Sequence, residues 1–67
     1  MNDSHQKAAE LHQLAAHAHT AAMSHHGKGD HLTGHEYSKQ ALEHSTKAFE
    51  LAQEAYRESA KHVAKQV

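Results

Sequence analysis

The chain contains no cysteine, no proline and no tryptophan, and only three glycines, one phenylalanine and two tyrosines. Each absence closes a class of answers. Without cysteine there is no disulfide, no thiolate metal site and no thiol nucleophile. Without proline, nothing of that kind forces a helix to stop from within. No apolar run reaches the roughly 18 residues of a membrane span, so no membrane association is expected. Acidic and basic residues nearly cancel, eight against seven, for a formal charge of −1 with the histidines neutral. The basic patch that nucleic acid requires is therefore missing. No nucleophile elbow, phosphate loop or dinucleotide motif occurs, and no glutamate precedes a histidine by three, the pairing that di-iron bundles use. A chain this small also offers no evident substrate pocket, so the protein is not expected to be an enzyme. The opening "MNDSHQK" is polar and reads as no secretory leader, which makes the cytoplasm the expected location.

What the chain does contain is helix formers and histidine. Its 67 residues make one domain, 1–67. Below roughly 70–80 residues a single core rarely supplies more than about 3–5 kcal/mol, and small folds add disulfides, a metal or a partner chain. With disulfides excluded, metal and self-association remain. Gly27, Gly29 and Gly34 cluster in mid-chain, and the flanks are rich in Ala, Glu, Gln, Lys and Leu, which favour helix. The pattern predicts an all-α chain with a helix over 4–26, a turn over 27–30 and a second helix over 31–65. Asp3 or Ser4 suits the first N-cap, with Gln6 three residues after Asp3 as in a capping box. Gly27 can take the left-handed conformation that closes a helix. Asp30 then caps the second helix, and is preferred to Thr33 with Glu36 because it follows the glycines directly.

Small residues recur at every seventh position: Ala8, Ala15 and Ala22 in the first helix, Gly34, Ala41, Ala48 and Ala55 in the second. A seven-residue repeat keeps one seam turned toward a partner helix. An antiparallel hairpin turning at Lys28 places Ala22 opposite Gly34, Ala15 opposite Ala41, Ala8 opposite Ala48 and Leu14 level with Leu42. Such residues let the axes approach toward the low end of the usual ~8–10 Å. On the same rule Ala55 comes level with Met1, so residues 56–67 have no intrachain partner, although Tyr56, Ala60, Val63 and Val67 recur there at helical spacing.

The larger apolar residues flank the seam. Leu42, Phe49, Tyr56 and Val63 also repeat every seventh position, while Leu11 and Leu14, and Tyr37 and Leu51, lie on the edges. A two-helix hairpin cannot cover both its flanks, and an apolar stripe left in water invites association. The expected solution is a homodimer forming a four-helix bundle, with Leu42, Phe49, Tyr56 and Val63 at the interface. A third helix made by a break near Ser45-Thr46 is the rival, with no glycine or proline to support it.

Ten histidines are the outlier of the composition. His5, His12, His19 and His26 are spaced seven apart, with Ala9, Ala16 and Met23 between them. Seven residues span about 10.5 Å of helix, too far for two rungs to share an ion with bonds of about 2.0–2.1 Å. This row is read as a half-buried border in which amphipathic rings cover apolar surface. The turn "HHGKGDHLTGH" differs. His31 and His35 lie four apart on one helical face and can chelate one ion. His25, His26 and Asp30 are close if the chain doubles back. Such a set suits Zn²⁺, Ni²⁺ or Cu²⁺. Its spacing alone does not separate a dedicated site from weak, adventitious binding.

The segments Ala8-Ala9, Ala15-Ala16-His17, Gly29-Asp30-His31 and Ala41 to His44 together resemble small histidine-rich bacterial helical-hairpin proteins of uncharacterised function. The resemblance covers about residues 5 to 48. It implies a helical hairpin and brings no activity or ligand set with it. Two functional readings follow from the residues. One is a protein that binds or buffers divalent transition metal through the turn, preferred because it accounts for the histidines. The other is a structural or protein-interaction module that self-associates, with a pH-responsive form if its histidines pack beside the core.

Overall fold

A computed structural model describes residues 2–66, with side-chain surroundings for 3–64. It forms two α-helices, α1 over Asn2–Gly27 and α2 over His31–Gln66, packed against each other. Asp3 and Ser4 are thus inside α1 and not at its cap. Asp3 lies in the first turn, where a carboxylate complements the helix dipole without capping geometry.

The reversal is built from backbone bonds. Gly29 has φ +81°, a conformation that costs a residue with a Cβ about 1–2 kcal/mol. The Asp30 N–H donates to the His25 carbonyl at 2.9 Å and the Gly29 N–H to the His26 carbonyl at 3.1 Å, the paired bonds of a Schellman closure. The left-handed residue is therefore Gly29 and not Gly27. The cause is that α1 runs on: the Lys28 N–H still reaches the Ser24 carbonyl at 3.2 Å, which keeps Gly27 helical. Asp30 ends one helix and starts the next. Its Oδ1 accepts from the Thr33 N–H at 3.2 Å, and its carbonyl accepts from the Gly34 N–H at 3.0 Å, the N-cap arrangement.

A Cβ built at Gly29 would meet nothing within 4 Å, so its substitution cost is conformational alone. Gly29→Ala is expected to destabilise by about 1–2 kcal/mol. That lowers the thermal midpoint by about 4–8 °C per kcal/mol in a domain of this size. Gly27→Ala, equally unobstructed but helical, should be neutral or stabilising. Thermal circular dichroism of the two variants distinguishes the positions; equal effects would show that the reversal does not turn on Gly29.

The seam is a row of small groups. Ala8, Ala15, Ala22, Ala41, Ala48 and Ala55 are buried, the last three with no exposure at all, and Gly34 is buried with them. Ala18 joins this core. Met1, expected level with Ala55, and Val67, expected on the tail stripe, lie outside the described residues. Cover on α2 extends further than expected: Glu58 and Ser59 are half-buried, and continuous exposure begins at Ala60. The register accounts for this: His25 lies on Tyr37 and His26 on Gly34, so α1 meets α2 several residues further along than the expected pairing of Ala22 with Gly34 and Ala15 with Ala41. With 36 residues against 26, α2 is still longer by about 15 Å at about 1.5 Å per residue, in a molecule 56 Å long.

No break occurs at Ser45-Thr46; α2 is continuous through them. The Thr46 hydroxyl donates to the Leu42 carbonyl at 2.9 Å and the Ser38 hydroxyl to the Gly34 carbonyl at 3.0 Å. Satisfying hydroxyls one turn back lets such residues sit inside a helix. Among the described residues, no helix is long and apolar enough to cross a membrane.

Candidate functional site

The turn histidines divide into two groups. On one side the His25 ring stacks on Tyr37, centroids 5.3 Å apart and planes inclined by 14°, while its Nδ1 lies 3.5 Å from Asp30 Oδ2. On the other side the His26 ring lies over Gly34. A Cβ there would fall 2.8–2.9 Å from three atoms of that ring. His26 also faces His31, centroids 5.7 Å apart and planes inclined by 39°. The close approach at Gly34 thus admits the His26 ring, where the seven-residue spacing had pointed to Ala22. His31 and His35 are both exposed. Among the described residues, no three His, Asp or Glu side chains converge as a ready metal-binding group. The set His25, His26, Asp30, His31 and His35 is not one cluster, because His25 and Asp30 engage each other away from the His26–His31 pair.

Hydrogen bonding from Thr33, first from its backbone and then from its hydroxyl, holds the Asp30 carboxyl below its ordinary 3.8, and the His25 charge adds a smaller pull. The charged form is favoured in the fold, so its contribution is complete above the unfolded value and is lost as pH falls through the lower folded value. Asp30→Asn keeps an acceptor for the Thr33 N–H but cannot titrate. The loss of thermal stability between about pH 5 and about pH 3 should therefore be smaller in Asp30→Asn than in the wild type. An identical loss in both, followed by circular dichroism, would remove Asp30 from the acid response.

These contacts also fix the two flanks of the hairpin. His25 on Tyr37 aligns the α1 row Ser4, Leu11, Ala18, His25 with the α2 row Tyr37, His44, Leu51, Glu58. Every member of both rows is half-buried or buried, so this flank closes on itself. His26 on Gly34 and His31 sets the row His5, His12, His19, His26 on the other flank. There it borders the α2 row His31, Ser38, Ser45, Ala52, Ser59, next to the stripe Leu42, Phe49, Tyr56, Val63. The four histidines of that α1 row are exposed; they do not form the half-buried border expected of them, since the alanine seam takes the space between the helices.

This second flank is open. Leu42 is 67% exposed, Phe49 60%, Tyr56 73% and Val63 59%, and Met23 is also exposed. The histidine row, Ala9, Ala16 and Met23 beside it, the small-residue row and the stripe contain no Lys, Arg, Asp or Glu. Charged side chains lie on other rows, among them Lys47 and Glu50, whose Nζ and Oε2 are 4.0 Å apart. At mid-stripe, Phe49, Ala52, Gln53, Tyr56 and Arg57 line an open groove of about 450 Å³. The spacing exposed the stripe; the neighbouring rows become legible only once His26 shows which flank of α2 adjoins the histidines. The fold and these surfaces define an all-α helical hairpin. No family model, curated protein or solved structure matches the chain.

Proposed function

We propose that this chain is a non-enzymatic, self-associating helical module. Two copies pair through the open flank to form a twofold four-helix bundle. The observation that carries this reading is an inversion of ordinary burial. The buried core consists of alanines and one glycine, while the chain's one phenylalanine and the rest of its seven-spaced large apolar residues stand outside. A buried alanine removes little apolar surface from water, whereas burying a Val, Leu or Phe side chain contributes about 1.5–3 kcal/mol. The hairpin alone therefore leaves its larger apolar contribution unrealised.

Surface area points the same way. A globular monomer of 7.4 kDa exposes about 4,200 Å² by the usual scaling, and this chain exposes 5130 Å². The excess is close to the ~800 Å² that each partner buries in a standard interface. A twofold axis at the mid-stripe groove, with the two α2 helices antiparallel, brings each Phe49 beside the other copy's Tyr56 and each Leu42 beside the other Val63. Sedimentation equilibrium of the tag-free chain should give about twice the 7.4 kDa chain mass. A fully helical monomer that persists at high concentration would overturn the reading.

A further inference from the structure

We infer that His26 and His31 anchor a divalent-metal site that clamps the end of α1 to the start of α2, with His35 as the third ligand. The pair already has the separation that a shared ion requires. Two imidazole nitrogens at about 2.0–2.1 Å from one ion put the ring centroids roughly 5–6 Å apart, and here they are 5.7 Å apart. The local sequence explains how the pair is held. Gly34 lacks the Cβ that would occupy the space of the His26 ring, so a glycine within α2 serves as a cradle that brings an α1 imidazole beside an α2 imidazole. His35 is one helical turn beyond His31 and exposed. Residues four apart share a helix face, so a side-chain rotation brings its ring to the same ion. Water fills the remaining positions. Asp30 and His25 stay outside this set, committed to the cap and to Tyr37.

Three neutral imidazoles with open positions form a borderline nitrogen site of the kind that takes Cu²⁺, Ni²⁺ and Zn²⁺, with Cu²⁺ tightest in the usual order. The ion would link the two helices across the turn and stabilise the folded form by binding it preferentially. The site lies at the turn, away from the mid-stripe groove, so it stands independently of the proposed dimer.

The test is calorimetric titration of the full, tag-free chain with Cu²⁺, Ni²⁺ and Zn²⁺ salts, with the thermal midpoint followed by circular dichroism. One saturable site per chain is expected, with a rise in midpoint. Changes to groups that merely orient ligands typically cost 10–100-fold in affinity, so His31→Ala and His26→Ala should each cost at least about tenfold. The discriminating variant is Gly34→Ala. It removes no ligand and improves intrinsic helix propensity, yet it displaces the His26 ring and should weaken binding nearly as much as His26→Ala. His62→Ala, at the far end of α2, should bind as the wild type does. Equal affinity for the wild type, His31→Ala and Gly34→Ala would mark the binding as adventitious and overturn the inference, as would the absence of saturable binding.

Discussion

Phe49→Ser is expected to raise the dimer dissociation constant by about 10²–10⁴-fold. Burying a phenylalanine contributes about 1.5–3 kcal/mol, the change counts twice in a symmetric pair, and each 1.4 kcal/mol is tenfold in affinity. The effect should fall on association before it falls on the hairpin. Within one chain Phe49 is 60% exposed, so its loss removes little intrachain packing. Sedimentation should show the shift to monomer, and the thermal midpoint should lose its dependence on concentration, since a partner that binds only the folded form stabilises by mass action. Tyr56→Ser should act in the same direction. Glu50→Ser, one residue along and off the open stripe, should leave the dissociation constant within a few-fold. If Phe49→Ser and Glu50→Ser behaved alike, the stripe would not be the interface.

Much of this fold could be read from the chain, because a seven-residue repeat of small groups has few uses other than close helix packing. Every described member of the expected seam is buried, and the stripe expected to remain outside is exposed. What escaped the sequence was set by single backbone bonds and single rings. Gly27 and Gly29 are indistinguishable as residues, and the choice between them depends on whether Lys28 still reaches Ser24. The same holds for the histidines. Spacing gathered His25, His26, Asp30, His31 and His35 because they are near along the chain, but adjacent helical residues point about 100° apart. His25 and His26 therefore leave α1 on opposite flanks, one toward Tyr37 and the other toward Gly34. A turn rich in ligands is thus split by the helix that carries them. Gly34 did signal a close approach, since a glycine inside a helix is disfavoured, but the spacing assigned that approach to Ala22, whereas it makes room for the His26 ring.

Ala48→Leu should damage the hairpin itself. Ala48 has no exposed surface, and the seam on both helices is built of methyl groups and one glycine, so the axes are close and a leucine has nowhere to go without parting them. Overpacking a well-filled site costs about 1–3 kcal/mol, occasionally more. For a domain of this size that is a fall in thermal midpoint of roughly 5–25 °C. The same change at Ala64, which is exposed and off the open flank, should stay within about 0.5 kcal/mol, because Ala and Leu are both good helix formers. The comparison tests more than one position. Alanine at the seam keeps the helices near each other, and among the described residues that nearness excludes large side chains from the fully buried positions. Leu42, Phe49, Tyr56 and Val63 are outside because the seam is tight, and their exposure makes a second copy favourable. If Ala48→Leu were as well folded as Ala64→Leu, the seam would be loose enough to accept large groups, and the exposed stripe would lose its physical cause.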